Sequence, residues 1–347
     1  MKRTLPVLLL AMTCAAASAA QESDAVPRLL QRLVVGKPVA YRGLTVFPLS
    51  GCRAPRLDGC LTLGEAMGKG WITISEKDGG EVNRLIIENT GPSPVFLMAG
   101  ELLTGCKQDR IVGDDCLLPA RSGKVTLSAY CVEHGRWTEQ GRAFKATGVS
   151  AQTDIRRAAK ASRSQQEVWD QVAANYDRLA VPMSATGAYR SVVEDQGVAA
   201  KRDEYVRHIS NLPSLGRDVC GCAVAVAGRI VCVDAFGSPR LFARLWPSLA
   251  ASYAMDALGC GEAGPPVSRE DVNGLLAAAA RARRQPGKTD GIGRACELRS
   301  AGLYGSALVY LDDVVHCDLF PVADGGNGPD DSDAPRLRYR REHLRER

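Results

Sequence analysis

The sequence predicts an α+β protein with an N-terminal antiparallel β-rich part, central helices and a C-terminal hairpin-helix-hairpin layer. Three observations lead there. Short β-branched runs separated by Gly, Pro and Asp-Gly-Gly signals fill residues 44–131, the apolar period turns helical between Gln152 and His208, and beyond Pro213 two hairpin-like runs flank one apolar-striped helix. The chain has 347 residues, enough for one large domain or two, and 45% hydrophobic with 24% charged residues suffices for a core and excludes wholesale disorder.

Taken in order, residues 1–20 read as a signal peptide. Lys2 and Arg3 precede an apolar run from Leu5 to Ala17 broken by Thr13 and Cys14, and small residues place a cut after Ala19 or Ala20. Met12 and Thr13 ahead of Cys14 argue against a lipoprotein signal, and no later run reaches the ~18 apolar residues of a membrane span. The expectation is a secreted or periplasmic protein without a membrane span.

The β-rich part, 21–150, starts with a short helix around Arg28–Val35. Strands follow in LTVFPL, WITISE, VNRLIIEN, PVFLMAG and KVTLSAY, interrupted by the short helix TLGEAMGKG. In the helical segment, 151–215, Ile155, Ala158, Ala159 and Ser162 share one face, and Arg156, Arg157, Lys160 and Arg163 form a basic stripe expected to face water. The α+β part, 216–322, opens with CGCAVAVAGRIVCVDAF, a hairpin about Ala-Gly. Ser238 then caps a helix with Pro239 in its first position, an alanine-rich helix spans Val272–Ala282, and SALVYLDDVVHCDLFP makes a hairpin turning at Asp312-Asp313. Residues 323–347 collapse to Gly, Asp, Pro and Arg, the composition of a disordered tail.

Composition narrows function. The formal net charge is +5, two of it from Lys2 and Arg3 in the leader, which leaves too little for a nucleic-acid footprint. An aromatic content of 5% argues against stacking platforms for single-stranded nucleic acid. Twelve cysteines, with no C-x-x-C pair, suit an oxidising compartment better than a zinc site. Cys52 with Cys60, Cys106 with Cys116 and Cys260 with Cys296 are close enough in sequence to be disulfide candidates, and the C-x-C of Cys220 and Cys222 puts one of that pair into the core. Gly287-Lys288-Thr289 imitates the end of a phosphate-binding loop, but Ala282 stands where its upstream glycine belongs. G-x-S-x-G and H-E-x-x-H are both missing and there are four histidines, so neither a metal nor a cofactor is expected.

Two polar stretches stand out. AGELLTGCKQDRIVGDDC, residues 99–116, holds Glu101, Lys107, Gln108, Asp109, Arg110, Asp114 and Asp115, a set able to clamp a carboxylate or phosphate; an exposed hairpin laced with ion pairs is the alternative. CVEHGRW, residues 131–137, combines Glu133, His134, Arg136 and Trp137 at a strand end, where a sheet-to-helix corner is the competing reading.

These stretches, with SQQEVW and the run VAVAGRIVCVDAFGSPRLFARLWPSLAASYAMDAL, resemble the bacterial ARPP domain family, over about residues 30–321. The resemblance implies a single family domain within 21–322. It maps the family's polar motifs onto Glu101, Lys107, Gln108, Asp109 and Arg110, then Cys131, Glu133, Arg136 and Trp137, then Gln165 and Trp169. Cys106 stands where a glycine is more usual in the family, and with Cys116 it implies a disulfide added for secretion.

Two functions follow as expectations. In the first, a small anionic ligand, phosphorylated or nucleotide-like, is held by Lys107, Gln108, Asp109, Arg110 and Arg136, with Trp137 or Trp169 stacking, Gln165 assisting and Glu101 or Glu133 as general base. In the second, a disulfide-stabilised interaction module binds an envelope component without catalysis, and the same charged residues form a salt-bridged network that fixes the fold.

Overall fold

The computed structural model describes residues 25–322 apart from 139, 217 and 261–263; the expected leader and tail lie outside the described residues. Three sheets carry the strands. The first has nine, in the order β1 (Val34–Val35), β3 (Leu44–Ser50), β13 (Val219–Val226), β14 (Arg229–Phe236), β18 (Asp313–Pro321), β17 (Leu303–Tyr310), β16 (Arg294–Ser300) and β15 (Arg283–Pro286), with β2 (Val39–Tyr41) also on β3. The second runs β12 (Gln140–Ser150), β8 (Glu101–Cys106), β9 (Arg110–Val112), β11 (Gly123–Cys131), β6 (Arg84–Asn89) and β5 (Ile72–Glu76). In the third, β10 (Cys116–Leu118) and β4 (Leu61–Thr62) flank β7 (Val95–Leu97); β4 and β7 are parallel, an exception to the antiparallel expectation.

Strands from both ends of the chain build the nine-stranded sheet, since β3 pairs with β13 from Leu44↔Val226 to Ser50↔Val219. Every residue of β13 is buried, because both faces of this sheet are covered. Cys222, Val224 and Val226, with Cys232 and Phe236 of β14, face helix α7 (Pro239–Ala257). Ala223, Val233 and Ala235 face the core made with α1 (Ala25–Arg32) and α8 (Arg269–Arg281). This alternation is the period of two that strand geometry imposes.

Helix α7 forms where its caps and stripe predict. Ser238 Oγ accepts from Leu241 N at 3.2 Å, Pro239 occupies the first turn, and Leu241, Phe242, Leu245, Leu249 and Tyr253 are buried. Each such side chain contributes roughly 1.5–3 kcal/mol by leaving water. The hairpin turns use Ala227 and Gly228, both at positive φ, and Leu311 and Asp312, one residue earlier than expected. The remaining helices are α2 (Leu63–Gly68), α3 (Thr153–Arg157), α4 (Gln165–Leu179), α5 (Tyr189–Glu194) and α6 (Gln196–Ile209), with a π-turn at Ala158–Ser162.

The cysteines correct the pairing by sequence proximity. Cys52 bonds Cys220 across 168 residues, because it follows β3 at the end where Ser50 faces Val219. Cys60 is a buried free thiol, its pKa pushed up to about 12 by burial. Cys106 and Cys116 are not joined to each other: the hairpin between β8 and β9 closes tightly after Cys106, and Cys116 lies beyond it in another sheet. Cys260 at the end of α7 and Cys296 in β16 are likewise unbonded.

Peptide mapping without reductant should therefore return a 52–220 cross-linked fragment and none joining 52 to 60 or 106 to 116. Closing a loop of this length restricts the unfolded chain by up to about 5 kcal/mol, so Cys220→Ala should lower urea stability by several kcal/mol.

Candidate functional site: a charged cavity beside a buried ionic network

The turn between β8 and β9 gathers most of the residues singled out by sequence, and it engages Gln108, Asp109, Glu133 and Arg136 with one another and with nearby backbone. Arg136 donates Nε to Glu133 Oε2 at 2.8 Å, Nη1 to the carbonyls of Cys106 at 2.7 Å and Thr138 at 3.0 Å, and Nη2 to Asp109 Oδ1 at 3.1 Å. Glu133 also accepts from Asp109 N at 3.0 Å, and Arg190 Nε pairs with Asp109 Oδ2 at 3.1 Å. Burial opposes ionisation of Glu133, but Arg136 outweighs it and holds the carboxyl below its ordinary range. Gln165 grips the main chain of Cys131 with two 2.8 Å bonds, and Gln108 Nε2 donates to Glu133 O at 2.9 Å. Arg136 and Glu133 are thus committed to closing this corner. Trp169 lies edge-on to His134 at 4.3 Å, and Lys107 donates to the Gly79 carbonyl. Glu101 is elsewhere: it accepts from Met98 N at 2.8 Å, and burial, with Asp115 adding, pushes its pKa up to about 8.

Glu101 borders a second cluster that no single sequence stretch announces. Asp115, Arg156, Lys160, Asp234, His316 and Asp318 are all buried, although they come from the β9–β10 connection, α3, the π-turn, β14 and β18. Arg156 clamps Asp234 through both Nη atoms, at 2.5 and 3.1 Å. Lys160 bridges Asp115, at 3.1 Å, and Asp318. His316 places Nδ1 2.8 Å from Asp115 Oδ2 and Nε2 3.0 Å from Asp234 Oδ1. Ionised carboxylates only accept, so both ring nitrogens must donate and His316 is an imidazolium. Burial pulls its pKa down, but the two aspartates outweigh that and raise it to about 9. Asp115 and Asp234, opposed by burial, are held well below the carboxylate range, chiefly by Lys160 and Arg156 respectively. Three anions meet three cations.

The basic stripe expected to face water is corrected here: Arg156 and Lys160, four residues apart on one helical face, are the network's cations, and Arg163 is half-buried. Gly100 makes room for them. Its φ is +92°, and a Cβ there would lie 2.5 Å from Arg156 Cγ. Ligating atoms of Asp115, His316 and Asp318 lie within 4.8 Å of one another. Lys160 is bonded to both carboxylates and His316 Nδ1 is a donor, so the ammonium takes the place a metal ion would need.

Beside this network a cavity of about 230 Å³ opens between β6, β11 and the loop before β16. Arg84, Arg163 and Lys288 line it with Asp114, Asp290, Ser128 and Tyr130. Arg163 is held by Asp114 at 3.4 Å and Glu297 at 3.1 Å, and Asp290 accepts from Ser128 N at 2.6 Å. Burial raises both Asp114 and Asp290 from their ordinary values. A neighbouring space of about 10 Å³, enough for roughly one water, shares Asp114, Arg163 and Lys288 and reaches Asp115 and Lys160. Of this set the sequence singled out the two adjacent aspartates, Lys160 and Arg163 as part of a basic stripe expected to face water, and the Gly287-Lys288-Thr289 string. Arg84 and Asp290 carried no local signal.

Residues 32–320 match the family described as the ARG and Rhodanese-Phosphatase-superfamily-associated Protein domain, and the chain belongs to that family. No curated protein and no solved structure matches it significantly.

The network and its surroundings set a pH dependence. Glu101, His316 and Asp256, which sits near the end of α7, accepts from Thr153 N and is raised by burial and by Asp154, have folded pKa values near 8, 9 and 7, all above their ordinary values, so the native state keeps protons that the unfolded chain releases. Stability then falls as pH rises from about 5 to about 9, whereas the part due to the depressed Asp115 and Asp234 is lost only in acid, below about pH 4. Thermal melts across this range should show the decline, and Glu101→Gln should flatten its lower half. A melting temperature that climbs from pH 5 to 9 would contradict the assignment.

Proposed function

We propose that this protein binds a small phosphorylated ligand in the cavity lined by Arg84, Arg163 and Lys288, and that it does so outside the cytoplasm. The observation that carries the reading is the convergence of three basic side chains, from β6, the turn after the π-turn and the loop before β16, on one cavity. Guanidinium and ammonium groups on a half-enclosed wall suit a phosphate, and the hydroxyls of Ser128 and Tyr130 supply further hydrogen bonds.

Size refines the ligand. At about 230 Å³ the cavity falls below the ~300–1,000 Å³ of sites that enclose drug-sized molecules. It suits a phosphate with one sugar-sized group, and a nucleobase would have to project outward. Asp114 and Asp290 are engaged by Arg163 and the Ser128 amide, which favours binding over acid-base chemistry on this wall. Export rests on the leader-like residues 1–20 and is supported by the Cys52–Cys220 disulfide, a bond that persists in oxidising compartments.

Arg84 and Lys288 are exposed, so they can be removed without leaving a buried partner unpaired. Titration calorimetry with inorganic phosphate, ribose 5-phosphate and AMP should show the sugar phosphate binding best. Lys288→Ala and Arg84→Ala should each weaken it about tenfold, the loss of one charge-assisted hydrogen bond, at unchanged melting temperature. Affinity unaltered in both variants, or no heat with any of the three compounds, would refute the reading.

A further inference from the structure

Arg110, at the start of β9, is completely buried, yet its Nε and Nη2 have no hydrogen-bond partner. Nη1 is fixed by Gln108 Oε1 at 2.8 Å and by Cys131 Sγ at 2.5 Å. The two unmet nitrogens form the side-on fork of the guanidinium, the pair that meets a carboxylate with two parallel hydrogen bonds. Glu76 stands next to the fork in the same condition. Its Oε1 accepts from Lys107 N at 3.0 Å, but its Oε2 is buried without a partner, 4.0 Å from Arg110 Nη2. At that separation the two groups form no hydrogen bond with each other. Leaving buried charged groups unmet is costly, and such pairs in native proteins are explained by water, an ion or a ligand.

Over them sits Trp137. Its ring centroid is 6.0 Å from Arg110 Cζ and 5.0 Å from Lys107 Nζ, and the residue is 49% exposed. The indole thus has half its surface in water and its face toward the guanidinium.

We propose that Arg110, Glu76 and Trp137 form a site for a zwitterionic α-amino acid. The carboxylate enters the Nε/Nη2 fork, and the ammonium meets Glu76 Oε2 and the face of Trp137, which attracts a cation. A plain carboxylate or a phosphate would set a second anion against Glu76, and a simple amine would leave the fork empty. The opposite charges 4.0 Å apart therefore select a ligand that carries both. The site shares no residue with the Arg84–Arg163–Lys288 cavity and does not depend on what binds there.

The full chain is titrated with glycine, serine, glutamate and phenylalanine, and with acetate and methylamine as half-ligands, following tryptophan fluorescence and calorimetric heat. At least one amino acid should bind and alter the fluorescence, while neither half-ligand does. Glu76→Gln and Arg110→Met should each weaken binding tenfold or more, Trp137→Phe should abolish the fluorescence change, and Lys288→Ala should leave the affinity as it was. Glu76→Gln keeps the test decisive if Arg110→Met fails to fold. No amino acid bound up to about 10 mM, acetate bound as tightly as glycine, or affinity unchanged in Glu76→Gln would overturn the site.

Discussion

The bonds of Asp234 are the constraint around which the rest of the protein is arranged. Its carboxylate receives both arms of Arg156, the Nε2 proton of His316 and the hydroxyl of Tyr253 at 2.5 Å, in a place without water access. Desolvating even one of these ions costs several kcal/mol, which is recovered only where every charge finds opposite charge and every lone pair a donor. The network balances its charges by extending outward through His316 to Asp115, and through Lys160 to Asp318, which also accepts from the Ser306 hydroxyl at 2.8 Å, while Arg156 Nε is left without a hydrogen-bond partner. Such an arrangement adds little stability over an apolar core but penalises every alternative assembly, because displacing one member strands a buried charge.

Its members are distributed so that the penalty acts on architecture. Asp115 leads from the six-stranded sheet into the three-stranded one, Arg156 and Lys160 sit on the helical segment that leaves β12, and Asp234, His316 and Asp318 lie on adjacent strands of the nine-stranded sheet. Correct docking of the three sheets is therefore a precondition for pairing these charges. The cavity lined by Arg84, Arg163 and Lys288 occupies the same junction, with Asp114 and Arg163 one and three residues from network members, so the fold that neutralises the core also sets the geometry of the cavity wall. The β8–β9 corner is a separate polar device: Arg136 and Glu133 fasten it, and Arg110 and Glu76 keep buried polar atoms without a hydrogen-bond partner.

Local signals were legible in the sequence wherever chemistry and neighbours coincide. Ala227-Gly228 sets a hairpin turn, Ser238-Pro239 starts a helix, and the alternation of β13 and β14 assigns their faces, because backbone sterics and strand period act over a few residues. The polar corner was legible in composition but not in purpose: seeing Asp109, Glu133 and Arg136 does not tell that they are bonded to one another. What escaped was long-range. A basic stripe at Arg156 and Lys160 has the pattern of a solvated helix face, and only three aspartates placed 41 or more residues away in the chain make burial favourable. Cys52 sought the nearest cysteine in sequence, whereas strand register brought it to Cys220.

The ionisation of His316 decides whether this charge balance is real. Nuclear magnetic resonance of the ring nitrogens, titrated against pH on the intact protein, reads it directly. Both nitrogens of His316 should be protonated at neutral pH and the ring should titrate near 9, because each nitrogen faces a carboxylate. A neutral ring at pH 7, with one unprotonated nitrogen, would leave three buried carboxylates against two cations and would contradict the network as described.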